Sequence, residues 1–583
     1  MKRTKIVCTI GPSSSSLDML EKMARAGMDV ARLNFSHGKT RDHVDIIKRV
    51  RKVSEKLDKP IGILQDIQGP KIRLGDVIEP FDIGKGKKII LSKDDVLGDS
   101  SRLSLSYPEI LEGIKEGDNV FIDDGIIELE VEKVTGEGVL TKVLEGGYIA
   151  SKKGITFPRS MVDLPTLTEK DVKDIGVGVD QEIDFIAVSF VRTSHDLLEV
   201  HNVLKDLDGD VPLIAKLENR KALENLKDIV DMSYGVMVAR GDLGINIPVE
   251  TLPVVQKEII SICDSMRKPV IIATQMLESM IHEPKPTRAE VSDVANAIFD
   301  GTDAVMLSGE TASGKHPIES VKYMSRIAVE AEKGYAHKQM SEEIHLTPSH
   351  NLDDVIAHSA NQITRNLEIK AIIVPTQTGN TARKVARYRP SVPIIGITTE
   401  WKTERLLTLS WGVIPLKFER KDTTTDMMID EAVHMSLEKG YVSSGDQVVM
   451  ISGRISGISG TTNLLKVHLI AREIAKGIGV GDGQVTGKVV TVFGEKDCSK
   501  KIETDAVVVL SSERDDFPGT RQAAAILSDA KELTSYPANL GREFGIPVIL
   551  AIPHKDDFYD GLLVTLDLDS GVIYEGKIDI GKV

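Results

Sequence analysis

The sequence predicts an α/β protein whose largest part is a closed parallel (β/α)8 barrel. Short apolar runs that have the pattern of buried strands alternate with helix-like stretches, and right-handed crossovers between parallel strands bury both faces of the sheet. Polar residues follow each run at the same end, and in such barrels that end carries the active site. The eight runs are Ile6–Ile10, Val30–Phe35, Ile61–Ile67, Phe185–Ser189, Leu213–Leu217, Val236–Ala239, Val270–Ala273 and Ala304–Met306.

Helical periodicity between these runs completes the barrel units, as in Asp18–Ala26 and His43–Leu57. The third unit is interrupted after Gly69-Pro70 by roughly 100 residues rich in Gly, Lys and Asp, with short alternating strands. We therefore expect a catalytic barrel over residues 1–69 and 168–335 and an inserted small β-barrel lid domain over residues 70–167. A lid at this end of the barrel is expected to exclude water from the site.

Beyond Glu332 the pattern changes to an open alternation of helices and strands, such as Asp353–Leu367 followed by Ala371–Val374. This predicts a doubly wound α/β domain over residues 336–472. A glycine-rich stretch from Gly479 leads into β-rich sequence, so an additional domain is expected over residues 473–583.

Composition narrows the class of protein. A chain of 583 residues is longer than a single hydrophobic core can accommodate, so three or four domains are expected. A net charge of −15 argues against nucleic acid or an anionic membrane as the main partner, and no apolar run is long enough to span a bilayer. Cys8, Cys263 and Cys498 are far apart and lack metal-ligand spacing, which predicts free thiols. The N-terminus lacks a signal-peptide pattern, so a cytoplasmic protein is expected.

Two neighbouring strand ends carry the strongest chemical signal. Lys216 and Glu218 are two residues apart, so a strand places both on one face, and Asp242 follows the next strand. Two carboxylates can hold a divalent cation, and a lysine beside them can stabilise a developing anion. Taken alone, Lys216 and Glu218 could equally be a structural ion pair. The recurrence of polar residues at other strand ends favours a site.

Further strand ends carry groups that suit a polyanion. Arg32, Asn34 and Ser36 share one strand face, and the arginine offers a planar fork for phosphate. Asp66, with Lys71 and Arg73 shortly after it, fits either a phosphate pocket or a salt-bridged loop.

Seven strings occur in the order in which the pyruvate kinase family has them, and the chain resembles that family over roughly residues 1–472. The strings are Thr9–Pro12, Ala31–Gly38, Asp66–Pro70, Ile214–Asn219, Ala239–Gly244, Ala273–Met276 and Met306–Thr311. The resemblance implies a glycolytic phosphotransferase that moves the phosphoryl group of phosphoenolpyruvate to ADP and gives pyruvate and ATP. In-line phosphoryl transfer depends on positioning and charge stabilisation.

The resemblance also implies roles for single residues. Glu218 and Asp242 would hold Mg²⁺ or Mn²⁺. Lys216 would face the phosphoryl group and the enolate oxygen, Arg32 would neutralise phosphate oxygens, and Thr274 would lead a proton to the enolate. The substrate would contact Arg32, Lys216, Gly241, Asp242 and Thr274, and the nucleotide would contact Asn34, Phe35, Ser36, His37, Arg73 and Lys153.

A monovalent-cation pocket is a further implication. In the family it is formed by the positions of Asn34, Ser36, Asp66 and the carbonyl of Ile67. Potassium-dependent members carry Glu at the position of Lys71. The ammonium of Lys71 can supply the positive charge instead, so K⁺ is predicted to be dispensable.

The α/β domain contains a candidate anion site. The loop from Thr376 to Thr381 follows a strand and opens a helix, where free backbone N–H groups favour an anion, although an ordinary capped helix is the alternative. The resemblance implies an allosteric site for a phosphorylated metabolite and a homotetramer. The effector-binding residues would be Thr376, Thr378, Gly379, Asn380, Thr381, Ser452 and Gly453, with Arg454 closing over them.

The C-terminal tail resembles the swivelling phosphohistidine domain of PEP-utilising enzymes, on the strings Thr534–Leu540 and Gly545–Pro547. That family needs histidine where this chain has Tyr536. A phenol cannot act as a labile phosphoryl carrier, so we expect a structural or regulatory domain, for instance at a subunit interface, and no second active site.

Two other functions stay open. A barrel lyase or aldolase acting on an enolate would use the same metal pair but no nucleotide-facing lid. A catalytically inactive sensor would bind sugar phosphates through the α/β domain, but Lys216, Glu218 and Asp242 are all present and count against it. ATP formation from phosphoenolpyruvate and ADP distinguishes these functions.

Overall fold

The computed structural model describes residues 2–159, 164–334, 351–419, 425–453, 462–493, 497, 500–511 and 518–578. The chain divides into two compact units. The first comprises Met1–His350, Thr376–Pro390 and Gly396–Glu419, and the second comprises Asn351–Pro375, Ser391–Ile395 and Arg420–Val583.

The first unit contains a closed barrel of eight parallel strands, which confirms the predicted architecture. Each strand pairs with the next barrel strand along the chain, and the last pairs with the first. The strands are β1 Lys5–Thr9, β2 Val30–Asn34, β3 Gly62–Asp66, β12 Phe185–Val188, β13 Leu213–Leu217, β14 Gly235–Ala239, β15 Val270–Ala273 and β16 Ala304–Leu307.

Alternation along the strands builds two apolar layers. In β1, Ile6 and Cys8 belong to the cluster formed with the surrounding helices, whereas Val7 between them belongs to a second cluster with Leu64 and Ile214. Because both faces are buried, these strands are continuous apolar runs. The helices of this part are Leu17–Ala26, Thr40–Leu57, Glu169–Asp180, Ser194–Asp206, Arg220–Glu224, Leu226–Met232, Arg240–Asn246, Leu252–Met266, Arg288–Phe299, Gly309–Ala312 and Pro317–Lys333.

The inserted lid is an all-β structure with its own core, as predicted. Its apolar cluster includes Leu91, Val120 and Leu129 and is separate from the barrel core. The strands are β4 Phe81–Ile83, β5 Lys88–Ser92, β6 Arg102–Ser104, β7 Asn119–Ile122, β8 Ile127–Val134, β9 Gly138–Glu145, β10 Gly147–Ile149 and β11 Ile155–Thr156. They form a six-stranded sheet, in the order β11-β7-β8-β9-β5-β6, and a two-stranded sheet of β10 and β4.

Helices and strands alternate along the chain after the barrel, which confirms the α/β domain. In the second unit, β17 (Ile369–Pro375) pairs in parallel with β20 (Gln447–Gly453), and β20 pairs antiparallel with β21 (Thr462–Leu469). The remaining elements along this part of the chain are the helices Leu352–Asn366, Asn380–Arg387, Trp401–Leu406 and Thr425–Glu438, with β18 Ile394–Thr398 and β19 Val413–Lys417.

The C-terminal part of the second unit is an eight-stranded mixed sheet. Its strands are β22 Glu473–Lys476, β23 Ile478–Val480, β24 Gln484–Val492, β25 Ala506–Leu510, β26 Ala525–Ser528, β27 Val548–Leu550, β28 Leu563–Asp567 and β29 Val572–Glu575. Their order in the sheet is β22-β29-β28-β24-β25-β26-β27-β23, and the four strands from β24 to β27 are parallel. Beside them lies the helix Tyr536–Phe544.

Two of the three cysteines are described, and both agree with the sequence prediction. Cys8 and Cys263 are buried free thiols, and burial raises the pKa of each. Cys498 lies outside the described residues. No helix in the described part of the chain is long and apolar enough to cross a membrane.

Candidate active site

The centre of the site is the ammonium group of Lys216 at the end of β13. Its Nζ lies 2.8 Å from Glu218 Oε1 and 3.3 Å from Asp66 Oδ1, and it donates to Ser189 Oγ at 2.7 Å. Burial alone would lower the pKa of Lys216, but the charges of Asp66 and Glu218 outweigh it and raise the pKa. Lys216 therefore stays protonated at neutral pH.

Asp66 joins this lysine to a second cation. Its Oδ2 accepts from Arg32 Nε at 2.8 Å and lies 2.7 Å from the Arg32 terminal nitrogen, while another Arg32 nitrogen donates to Thr9 Oγ1. Burial opposes the charge on Asp66, but Lys216 and Arg32 lower its pKa. Asp66 thus holds two fixed positive charges, one on β2 and one on β13.

The two predicted metal ligands lie close enough to interact. Glu218 is almost completely buried, and its Oε2 accepts from the backbone N–H of Phe190 at 2.7 Å. Burial and the charge of Asp242 raise the pKa of Glu218, while Lys216 opposes this. Two repelling carboxylates, one of them buried, form a hard-oxygen donor pair that a divalent cation would stabilise. The donor set therefore fits Mg²⁺ or Mn²⁺.

No group of three or more His, Cys, Asp or Glu side chains that could hold a metal occurs within the described ranges. With only two protein carboxylates at this position, a bound cation keeps open coordination positions. Mg²⁺ commonly fills such positions with water and substrate oxygens.

Thr274 lies on a strained turn beside these carboxylates. Both Thr274 and Gln275 have positive φ, at 67° and 54°, a conformation that is costly for a β-branched residue such as threonine. Arg240 holds the turn, because its guanidinium donates to the carbonyl oxygens of both residues and pairs with Asp293. The Thr274 hydroxyl accepts from Gly241 N at 2.9 Å and donates to the Ala273 carbonyl.

Lys71 reaches from the first lid residues toward the barrel. Its Nζ lies 4.0 Å from Asp242 Oδ1 and 3.9 Å from Asp124 Oδ1 in the lid. These are the ion pairs of Lys71 in the described part of the chain. Its ammonium therefore stands beside a predicted metal ligand.

Three groups of the predicted monovalent-cation pocket, Asn34, Asp66 and the Ile67 carbonyl, accept hydrogen bonds from donors of the chain. Asn34 Oδ1 accepts from Ser36 N at 3.1 Å, and the Ile67 carbonyl accepts from Ser189 Oγ at 2.7 Å. Asp66 is paired with Lys216 and Arg32, as described above.

The predicted nucleotide contacts fall on two segments. Arg73 and Lys153 are neighbours in the lid: Arg73 bridges to Gly154, and Lys153 pairs with Asp123. Asn34–His37 continues from β2 into the loop before the helix Thr40–Leu57. His37 is exposed, whereas the Phe35 side chain is buried.

Three residues of the site carried no assigned role in the sequence. Ser189 ends one predicted run and Arg240 directly follows another, so both belong to the polar residues at strand ends, whereas nothing in the sequence indicated Phe190. Phe190 has a positive φ of 56°, which turns its N–H toward Glu218. Only the closed barrel brings these side chains and the N–H together.

The predicted effector loop has the local geometry of a helix N-terminus. Gly379 has a φ of 75° and precedes the helix Asn380–Arg387, and Thr376 Oγ1 accepts from Gly379 N at 3.0 Å. Thr378 is exposed. In the second unit, Ser452 and Gly453 end β20, and Ser452 is buried. Arg454 lies outside the described residues.

Comparison with known proteins gives matches along the chain. Residues 1–321 match the pyruvate kinase barrel domain, residues 354–468 the pyruvate kinase alpha/beta domain, and residues 502–571 the mobile domain of PEP-utilising enzymes. The pyruvate kinase of Bacillus licheniformis is 41% identical over 586 residues, covering all of both chains. That of Geobacillus stearothermophilus is 42% identical over 586 residues, covering 99% of this chain and all of the relative. That of Staphylococcus aureus (strain COL) is 41% identical over 586 residues, again covering all of both chains.

Proposed function

The chain belongs to the pyruvate kinase family, and from this premise we propose that the cluster of Lys216, Glu218 and Asp242 is where the phosphoryl group passes from phosphoenolpyruvate to ADP. The observation that carries the proposal is the buried Lys216 ammonium, which lies 2.8 Å from Glu218 and is flanked by Asp66 and Arg32. A fixed cation at the end of a barrel strand suits a reaction that leaves negative charge on an enolate oxygen.

Lys216 and Arg32 are proposed to neutralise different parts of the negative charge of the substrate. The Arg32 guanidinium, held by Asp66 and Thr9, presents a fixed fork to phosphate oxygens. The Lys216 ammonium faces the bond that breaks, so it stabilises the leaving enolate and the phosphoryl group in transfer. Because both cations are already held by Asp66, little reorganisation is needed during the reaction.

Glu218 and Asp242 would hold the divalent cation. Such a cation supplies charge neutralisation on phosphoryl and carboxylate oxygens when it is bound. The Phe190 N–H fixes the orientation of the Glu218 carboxylate. Lys71 adds a positive charge beside Asp242.

Thr274 is the proposed route of the proton that converts the enolate to pyruvate. Its hydroxyl is oriented by Gly241 N and the Ala273 carbonyl, and Arg240 fixes the backbone of the turn. A threonine hydroxyl is a weak acid, so we assign it the positioning of a water molecule that delivers the proton.

We propose that two cations of the lid face the nucleotide. Arg73 and Lys153 lie side by side in the lid, and the loop Asn34–His37 lies on the barrel. We propose that ADP binds along these two segments. A coupled assay for ATP formation from phosphoenolpyruvate and ADP tests the assignment. Conversion of phosphoenolpyruvate without ATP formation would favour a lyase, and the absence of turnover would favour a sensor.

We further propose that K⁺ is dispensable because of Lys71. Wild-type turnover is expected to be equal in K⁺ and Na⁺ buffers. Lys71→Glu removes the ammonium beside Asp242 and Asp124 and adds a third carboxylate, so its turnover in Na⁺ is expected to fall at least about tenfold and to recover in K⁺.

Steady-state assays at constant ionic strength measure this effect, with Lys87→Glu at an exposed lid position as the matched charge reversal. A strong stimulation of the wild type by K⁺ would contradict the assignment.

We also propose the loop Thr376–Thr381 as the candidate site for a phosphorylated allosteric effector. The exposed Thr378 hydroxyl and the first N–H groups of the helix Asn380–Arg387 support this. A Thr378→Ala, Thr381→Ala double variant is expected to lose the shift in half-saturating phosphoenolpyruvate concentration that the effector causes in the wild type.

Glucose 6-phosphate, fructose 1,6-bisphosphate and AMP serve as probes for this prediction, and Thr399→Ala is the control. An unchanged response of the double variant to a probe that shifts the wild type would exclude this loop.

We propose four domains with the boundaries expected from the sequence: a catalytic barrel over 1–69 and 168–335, a lid over 70–167, an effector domain over 336–472 and a further domain over 473–583. Tyr536 begins the helix Tyr536–Phe544 of the last domain and stands where the phosphohistidine domain has its histidine. We therefore assign this domain a structural or regulatory role. A homotetramer in the cytoplasm is proposed from the family.

A further inference from the structure

A buried histidine that the assignments above leave unused lies under the nucleotide-facing loop. His43 belongs to the first turn of the helix Thr40–Leu57, and its ring stacks on Phe35 with centroids 4.1 Å apart and planes 15° from parallel. Its Nε2 is 2.8 Å from the His37 carbonyl oxygen. Because a carbonyl only accepts hydrogen bonds, Nε2 carries the hydrogen.

The surroundings of the other ring nitrogen, Nδ1, indicate that the His43 imidazole is neutral. Nδ1 of His43 is buried and has no hydrogen-bond partner in the described part of the chain. Burial lowers the pKa of His43 below its ordinary value, although the bond to His37 and the charge of Asp174 oppose the shift. A neutral ring at pH 7 acts as a single donor and a flat stacking surface.

The segment that His43 contacts is short and is held at several points. Phe35 N donates to the Asp66 carbonyl at 2.9 Å, and Lys170 Nζ donates to the Phe35 carbonyl at 2.6 Å. Gly38 has a φ of 83°, and a Cβ there would meet His43 Nε2 at 3.3 Å. His43 is thus the side chain that fixes the far end of the loop, where Lys170 fixes its start.

We propose that His43 is a positioning residue for the nucleotide, holding the His37 carbonyl and the Phe35 ring so that the loop Asn34–Gly38 is already shaped to receive ADP. The proposal rests on the proposed function, which places ADP along this loop. A loop ordered before binding loses less conformational freedom when the ligand arrives. Substitution of His43 is therefore expected to weaken the affinity for ADP and to leave the affinity for phosphoenolpyruvate unchanged.

Two substitutions separate the contributions of His43. His43→Phe keeps the ring stack and removes the hydrogen-bond donor. Because one hydrogen bond is lost, KM for ADP is expected to rise about tenfold, while KM for phosphoenolpyruvate stays within about twofold of the wild-type value. His43→Gln keeps an N–H donor and is expected to recover part of the affinity. Lys48→Ala, at an exposed position of the same helix, is the control.

ADP binding by titration calorimetry and thermal unfolding are measured beside the kinetics. Lys153→Met, in the lid, is included to report whether ADP binds at the proposed nucleotide site. If Lys153→Met raises KM for ADP and His43→Phe does not, the role of His43 is overturned. If neither variant changes it, the nucleotide site itself is misplaced and the role of His43 fails with it. Equal rises in both KM values with a lower Tm would mean a purely structural residue and would also overturn the proposal.

Discussion

Replacement of Lys216 by methionine is expected to lower kcat at least about a thousandfold, because a fixed cation aimed at developing charge contributes on the order of 4 kcal/mol to transition-state stabilisation. The ammonium is 2.8 Å from Glu218 and 3.3 Å from Asp66 and remains protonated in the folded protein. Phosphoenolpyruvate and ADP turnover is measured by coupled assay at saturating substrates.

Controls for this variant address folding as well as charge. Lys216→Met leaves two buried carboxylates with one cation fewer, which is itself destabilising. Lys216→Arg keeps the charge with a different geometry and is expected to fold while still losing at least about tenfold in kcat. Lys227→Met, an exposed lysine of the barrel, is expected to change little. A Lys216→Met protein within tenfold of wild-type kcat would refute the role of Lys216.

Neutralising either carboxylate is expected to cost a similar amount of activity. Glu218→Gln retains an oxygen that accepts from Phe190 N at the 2.7 Å position, but it places an amide against the Lys216 ammonium and removes a proposed metal ligand. Asp242→Asn removes the second proposed ligand. We expect kcat to fall about a thousandfold for each variant, as for the loss of a charge that neutralises the transferring phosphoryl group.

Glu224→Gln, on the helix that follows Glu218, is the matched control, since its carboxylate is exposed and pairs only with Arg220 at 3.2 Å among the described residues. Circular dichroism and thermal unfolding show whether the variants are folded. Near-normal ATP synthesis by both folded variants would overturn the assignment of the metal site.

The barrel could be predicted from sequence because its physical signal is local. Runs such as Leu213–Ala215 are apolar on both faces and end abruptly in charge, which is typical of a parallel sheet covered on both sides. The strand period of two also predicts that Lys216 and Glu218 share one face. Their side chains are indeed in contact, with 2.8 Å between the ammonium and the carboxylate.

Contacts between distant segments could not be predicted in this way. Nothing in the sequence pairs Lys71 with Asp242, because the contact depends on how the lid returns toward the barrel. Phe190 and Thr274 adopt positive φ, which no propensity of phenylalanine or threonine suggests. In the folded chain, Glu218 accepts from the Phe190 N–H and Arg240 donates to the Thr274 carbonyl.

Direct cation binding tests the central claim, that Glu218 and Asp242 hold a divalent metal beside Lys216, without relying on turnover. Mn²⁺ binding to the full-length protein, followed by electron paramagnetic resonance, measures the dissociation constant in the absence of substrates. Glu218→Gln and Asp242→Asn are each expected to raise that constant at least about tenfold while Glu224→Gln leaves it unchanged. Wild-type affinity for Mn²⁺ in both active-site variants, with the fold intact, would contradict the account.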